Sequence, residues 1–408
     1  MKRIWFTILL LLSLPFTVHS ELIWQETTPM HHCRIGHAAA VSEGRIFVFG
    51  GMQNERRQIL SSVEVYIPGD GQRGDWREVA SIPEPLYKPA AVAFGRHIYL
   101  IGGLTTNYEL NNRVYLYDSV EDSFRVVGRM PEPYLYGHAA VRVERRILVI
   151  GGMVDEGDYH SEGKWLTPGN MAWEDGPELI NPRAHFGLTE RNGDVYAIGG
   201  LFFGPVNRME MLSSGRWIAR APLPTARGGL GASFLNDTLI VTVGGITPRG
   251  IPTNAVEGYN TQTDEWTREL PDMITPRRDF VLVELLGKLY AIGGRGNTRD
   301  RAIPLNSVEV FFDDENSISD NREALQQTQL LTVSPNPANG PVSFLFPSIQ
   351  GVLKLYTLNS RLIAKVPVSA QGGSWIWDCN NYPAGLYLYR YIPVTGDKSY
   401  PGQITVIK

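Results

Sequence analysis

A chain of 408 residues exceeds what one hydrophobic core ordinarily supports, so two domains are expected. A formal net charge of -4 and a pI near 6.1 give no basic surface of the kind that attracts nucleic acid. The 42 glycines and a repeat of constant period point to an all-β chain.

Residues 1–20 stand apart. Lys2 and Arg3 precede an apolar run from Ile4 to Phe16, and Val18-His19-Ser20 offers a cleavage site, which is the layout of a secretory signal peptide. The run is shorter than the ~20 residues of a spanning helix, and no transmembrane segment is expected in the mature chain.

The chain then writes one short stretch six times, an apolar strand ending in a glycine pair. The copies are RIFVFGG ending at Gly51, HIYLIGG at Gly103, RILVIGG at Gly152, DVYAIGG at Gly200, LIVTVGG at Gly245 and KLYAIGG at Gly294. They lie 45 to 52 residues apart, the period of a repeat architecture. Each copy is short, β-branched or aromatic and bounded by glycine, as a strand buried on both faces would be. Glycine at its end permits positive φ and a close backbone approach.

Around each copy the same neighbours recur. A small-residue strand precedes it, from HAAAV at His37 to FVLVEL at Phe280. A third strand follows, as in VEVY at Val63, RVYLY at Arg113, RMEML at Arg208, VEGY at Val256 and VEVFF at Val308, with a weaker counterpart near Lys164 and Trp165. A fourth carries Trp76, Phe124, Trp173, Trp217 or Trp266. The sixth unit lacks its tryptophan strand, and the missing piece is found ahead of the first unit as Leu22-Ile23-Trp24. The N-terminal strand is therefore expected to complete the sixth sheet and close a ring.

On these motifs residues 21–312 resemble a kelch-repeat domain, which implies a six-bladed β-propeller. Kelch propellers include binding modules, scaffolds and a few enzymes, so the resemblance fixes fold more than function.

From Asp313 to Gln329 the chain is polar and lacks aromatic residues, the composition of a linker. Residues 330–408 start a new pattern of seven short strands, from LLTVS to QITVIK, that argues for a small Ig-like β-sandwich. This segment resembles the C-terminal type A sorting domain of the type IX secretion system. The carrying residues are Ser334-Pro335-Asn336-Pro337, the run Ala384-Gly385-Leu386-Tyr387-Leu388-Tyr389-Arg390, and Thr405-Val406-Ile407-Lys408. Leu358-Asn359-Ser360 stands where that family usually has an Asp-x-x-Gly turn. The resemblance implies export by the type IX machinery and a protein that is secreted or attached to the outer cell surface.

No phosphate loop, dinucleotide fingerprint, HExxH or serine elbow is present, and no cofactor is expected. Cys33 and Cys379 are too few for a disulfide framework and read as two small thiols, with an interdomain bridge as the alternative. His37 and His138 hold equivalent places and read as structural, and His31-His32-Cys33 is too crowded for a tetrahedral metal site. The copper site of galactose oxidase, another kelch protein, needs a cysteine beside a tyrosine in the propeller. Cys33 alone is available there, and that chemistry is not expected.

In a blade whose first strand is innermost, the loops entering that strand and those joining strands two and three share one face. Aligned on the glycine pairs, the strand entries hold Arg34, Arg183, Arg227 and Arg277, with Tyr87, Lys88, Tyr136 and Arg278 nearby. The longer loops add Arg56, Arg57, Arg249, Arg295, Arg299 and Arg301, while the opposite face carries Asp70, Asp75, Asp118, Glu121, Asp122, Asp264, Glu265, Asp313 and Asp314. One reading is a basic funnel for an anionic ligand over an acidic base. The other is that the four aligned arginines bond neighbouring backbone and tie the ring together.

Two functions follow as expectations. One is a recognition module that binds protein or glycan on the funnel face. The other is an enzyme resembling the kelch mutarotase of sialic acid, for which the acids near strand one are Asp279, Glu284 and Glu190, Asp279 being best placed.

Overall fold

The computed structural model describes residues 21–53, 58–69, 73–297, 302–314, 332–334, 341–346, 350–357, 362–369, 371, 373–393 and 400–406. The proposed signal segment, Arg56, Arg57, Asp70, Arg299, Arg301, most of the linker, Pro335, Asn336, Pro337 and Lys408 lie outside the described residues. The chain divides into two units, one of them Leu22–Asp313, the other including Asp314–Lys408.

Six four-stranded sheets and one two-stranded hairpin, Arg295–Asn297 with Ala302–Pro304, make up the first unit among the described residues. Five run in chain order from an inner to an outer strand, the first being Ala38–Ser42, Arg45–Phe49, Val63–Ile67 and Asp75–Val79. In the sixth, Val281–Leu285, Lys288–Ile292 and Val308–Asp314 are completed by the N-terminal strand Glu21–Thr27. The inner strands of successive blades touch around a circle, and Val281–Leu285 returns to Ala38–Ser42. The result is a closed six-bladed propeller.

Packing between blades follows from the sequence pattern. Each glycine-pair strand is buried on both faces, as at Ile46, Phe47, Val48 and Phe49. Its alternate side chains therefore enter the apolar clusters on either side of the blade. Phe47 and Phe49 meet Ile98, Leu100 and Tyr117 of the next blade, while Ile46 and Val48 meet Tyr290 and Ile292 of the last. At about 1.5–3 kcal/mol for each fully buried large apolar side chain, these wedges supply most of the driving force.

The glycine pairs sit where one blade meets the next. The second glycine of each pair donates its N–H to a carbonyl of the following blade at 2.8–2.9 Å, for example Gly51 to Leu86 and Gly294 to Arg34. Both members of every pair have positive φ. A Cβ on Gly50 would lie 2.4 Å from the Leu86 carbonyl oxygen, so the contact excludes any side chain.

Trp24 repeats in the sixth blade what other blades do with their own tryptophan. Its Nε1 donates to the Pro271 carbonyl at 3.1 Å, as Trp76 donates to Thr28 and Trp266 to Ala221. Each bond ties an outer strand to the end of the previous blade.

The second unit contains a three-stranded sheet, in the order Thr332–Ser334, Val342–Phe346 and Gly373–Trp377. A four-stranded sheet runs in the order Leu362–Val368, Gly351–Thr357, Gly385–Pro393 and Tyr400–Val406. Phe344, Leu353, Trp377, Tyr387 and Ile404 are among the side chains of one core shared by the two sheets, a small β-sandwich. Tyr387 is buried with its hydroxyl donating to the Pro383 carbonyl at 2.7 Å; Gly385 and Arg390 are exposed. Neither Cys33 nor Cys379 is in a disulfide.

Candidate functional site

The four aligned arginines do not face the funnel. Arg34, Arg183, Arg227 and Arg277 are each 0% exposed, and the expectation that they line its mouth is corrected on that ground. Each side chain turns away from the axis into its own blade and pairs with a buried glutamate of the third strand: Glu64, Glu210, Glu257 and Glu309 respectively. Arg34 shows the pattern, donating to the Gly50 and Ser62 carbonyls at 2.7 and 2.9 Å and to Glu64 at 2.8 Å. Glu64 also accepts the backbone N–H groups of His31 and His32, as Glu309 accepts those of Ile274 and Thr275. A guanidinium spent on a carboxylate and two carbonyls has no fork left for a ligand. Burial lowers all four arginines from their ordinary value, Arg183 to about 10.

The second and third blades lack the pair. Leu86 and Leu135 stand in the arginine's place, and Tyr115 and Lys164 in the glutamate's. Arginine and glutamate are present together or absent together, as expected when a lone buried charge is costly.

Two residues beyond each arginine position lies a ring that encircles the axis: Gly36, Lys88, Gly137, His185, Gly229 and Asp279. Each N–H donates to the carbonyl of the preceding member, and Gly36 closes the circle on Asp279, at distances of 2.7–3.5 Å. All six have φ between 52° and 62°. Glycine takes this conformation freely, whereas Lys88, His185 and Asp279 are held in it at a cost of order 1 kcal/mol each. Glycine is also required sterically, since a Cβ on Gly137 would lie 2.4 Å from His185 Cε1 and one on Gly229 2.8 Å from Asp279 Oδ1. The glycines of three blades thus make room for the side chains of the other three.

Those three side chains meet over a channel of about 230 Å³ whose walls include Ala39, Ala91, Ala140 and Leu188. Lys88 Nζ lies 3.0 Å from His185 Nε2 and 5.2 and 5.9 Å from the ring centroids of Tyr87 and Tyr136. Arg278 Nη1 donates to Asp279 Oδ2 at 2.7 Å. Burial, reinforced by Lys88, lowers His185 to about 3, so its imidazole is neutral and accepts from the ammonium. Burial would raise Asp279, but Lys88, Arg278, His185 and Arg295 together hold it below the usual carboxylate range. Burial lowers Lys88, with Asp279 opposing the shift. Tyr87 is pushed up by burial and by Asp279.

Tyr87, Tyr136 and Arg278 therefore do stand at the mouth, around Lys88 and Asp279. Arg295 pairs backbone to backbone with Arg278, and Arg249 projects from the fifth-blade loop on the same face. That face is not uniformly basic, because the third-blade loop carries the exposed acids Asp155, Glu156 and Asp158. Of the acids expected at the base, four are engaged within the fold. Asp122 and Asp264 each accept from a tyrosine hydroxyl and from the backbone of the preceding blade, and Asp118 and Glu121 pair with Arg96. Of the three acids near strand one, Glu190 and Glu284 cap the opposite-face hairpins through Gly193 and Gly287, leaving Asp279 alone at the mouth.

His37 and His138 line the channel wall but fill the inter-blade wedge that Phe186 and Phe280 fill elsewhere. Burial lowers them to about 3 and about 4. His31 and His32 turn to Glu64 and Glu78. Among the described residues no group of three His, Cys, Asp or Glu could hold a metal ion, and no helix is long and apolar enough to cross a membrane.

The same face carries exposed apolar side chains. Tyr159, Phe202 and Phe203 form a cluster with centroids 4.9–5.5 Å apart, and Phe203 is 76% exposed. Ile251, Ile180, Ile274 and Tyr108 lie exposed on other loops of this face.

Ring closure, the glycine pairs and the buried Arg–Glu staples define a β-propeller of repeated four-stranded units. The repeats resemble those of kelch proteins. A family model described as the KLHDC2/KLHL20/DRC7 Kelch-repeats domain matches residues 16–200. Kelch-like protein terF of Aspergillus terreus is 29% identical over 278 residues, covering 63% of this chain and 60% of its own. Beta-scruin of Limulus polyphemus is 29% identical over 188 residues, 44% of this chain and 20% of its own. The chain thus spans less than two thirds of the length of these relatives. The solved structure titled "Structure of YjhT" superposes with a TM-score of 0.60 at 14% identity, over 71% of this chain and 98% of that one, which is a likeness of fold.

Proposed function

We propose that the propeller is a recognition module that takes a protein or glycan ligand on the face formed by the strand two to three loops and the strand four to one loops. The observation that carries this reading is the exposed Phe203, backed by the half-buried rings of Tyr159 and Phe202 on one rigid rim, with further apolar side chains around it. Exposed aromatic groups clustered on a surface are the usual anchors of such contacts. A glycan and peptide array probed with the full chain and with Phe203→Ala tests it. Captured ligands should be lost in the variant, while thermal stability stays within about 0.5 kcal/mol because the side chain is exposed.

Export belongs to the same proposal. Residues 1–20 supply the signal peptide, residues 330–408 the type IX sorting domain, and the protein is secreted or held on the outer cell surface. The sequence pattern at Ala384 to Arg390 supports it, with Tyr387 in the sandwich core. Removing residues 330–408 should leave the propeller in the periplasm of a type IX-competent host, as read by fractionation.

A second reading, a sugar-acid mutarotase, is favoured by one observation: Asp279, held ionised, sits beside Lys88 and a neutral imidazole at the mouth of the channel. Anomer exchange of α-sialic acid followed by NMR tests it, and an unchanged exchange rate with the pure protein removes it.

A further inference from the structure

The six-residue ring alternates glycine with a side chain, and the three side chains differ in chemistry: an ammonium, an imidazole and a carboxylate. A plug that merely closed the axis would be made most cheaply of apolar groups, since the channel walls are mostly apolar, Ala39, Ala91, Ala140 and Leu188 among them. Instead three blades hold non-glycine residues in the left-handed conformation that glycine takes freely, and so bring polar groups to one point. Residues held in sparsely populated backbone regions cluster at ligand sites as well as at tight turns, and these three lie in no hairpin turn.

The charge around that point is unbalanced. Asp279 has Lys88, Arg278 and Arg295 as cationic neighbours, and Arg278 already engages one of its oxygens. His185 is neutral and spends Nε2 on Lys88. The acids beside the mouth, Asp155 and Glu156, face Tyr136 from the third-blade loop. Cations therefore exceed anions at the axis itself, and Lys88 retains donors beyond the one given to His185. A channel of about 230 Å³ is smaller than the usual drug-sized pocket and suits a compact molecule.

We propose that the axial mouth is a binding site for a small organic monocarboxylate, whose carboxylate is held by Lys88 between the rings of Tyr87 and Tyr136 while its body enters the alanine-lined channel. The site shares its location with the mutarotase reading but requires no turnover, and it is separate from the aromatic rim that would hold a macromolecule.

The test is equilibrium binding to the full chain, by calorimetry, of acetate, benzoate and glucuronate, each against its neutral amide. At least one acid should bind saturably and its amide should not. Lys88→Gly, which places in the second blade what three other blades already have, should weaken that acid about tenfold or more, as expected for loss of a charge-assisted bond. Asp279→Asn should tighten it, because one opposing charge is removed. A purely structural role for the ring predicts no such opposite movement. The proposal is overturned if no acid saturates, if acid and amide bind alike, or if Lys88→Gly leaves the affinity unchanged while circular dichroism shows both variants folded. Failure of anomer exchange with binding intact would remove only the mutarotase.

Discussion

Arg34 and Glu64 lie 2.8 Å apart with neither side chain exposed, and the same glutamate takes the N–H groups of His31 and His32 where the chain enters the first blade. One ion pair thus holds the inner strand, the third strand and the incoming loop. The arrangement recurs in three further blades, and it makes these arginines part of the frame.

Removal of one partner leaves a buried charge unpaired. Arg227→Leu should destabilise the propeller by about 3–5 kcal/mol, read from urea denaturation. Arg227→Leu with Glu257→Tyr copies the second blade's Leu86 and Tyr115 and should cost markedly less. Equal losses in the single and double variants would mean that the pair is not the source.

Closure by the N-terminal strand is testable on one residue. Trp24 is buried, stacks on Phe311 at 4.9 Å and donates to Pro271. Trp24→Ala should cost about 3–5 kcal/mol. Deleting residues 21–27 should in addition expose the edge of Val308–Asp314 and promote association, visible by size-exclusion chromatography.

Acid sensitivity follows from three histidines lowered chiefly by burial: His37 to about 3, His138 to about 4 and His185 to about 3. Each folded value lies below the ordinary one of about 6.5, so the unfolded chain binds more protons between the two. Their stabilisation is complete above pH 6.5 and is lost as pH falls toward 3–4, at up to about 1.4 kcal/mol per pH unit for each. Urea midpoints at pH 7.5, 6 and 5 should fall in that order. His138→Phe, the side chain that Phe186 provides in the next blade, should flatten the decline; an unchanged slope would count against this origin.

Strain at the axis gives a prediction of opposite sign. His185 has φ +52° where three sister positions hold glycine. His185→Gly should raise stability by about 1 kcal/mol, since a left-handed residue is relieved and a desolvated ring removed. A loss of stability would mean that the bond with Lys88 outweighs the strain.

The fold was legible because its physical demands recur. A strand buried on both faces and ending against a neighbour's carbonyl needs the same residues each time, and six copies of that demand are visible without coordinates. The sequence places the arginines on the right segment but leaves open whether they face the funnel or bond the backbone, because topology locates a backbone and does not aim a side chain; the structure agrees with the second reading. A signal for the true role was available: the third strands with Glu64, Glu210, Glu257 and Glu309 belong to the same repeats as the arginines, and the repeats with Leu86 and Leu135 lack both. His185 was missed although Lys88 and Asp279 were noted, because its equivalence to them appears only when the ring position is compared across all six repeats. The rim aromatics Phe202 and Phe203 fall in a strand two to three loop that recurs in position but not in residue type from blade to blade, so periodicity carries no information about them.

The circle of six peptide groups at the axis points every amide the same way round, each one engaged on both sides by its neighbours. A hoop of this kind holds no spare backbone group with which to greet a visitor. Whatever the central opening discriminates is therefore written in side chains, those of the three ring positions that are not glycine and of Tyr87, Tyr136 and Arg278 beside them, and retuning it leaves the backbone frame untouched.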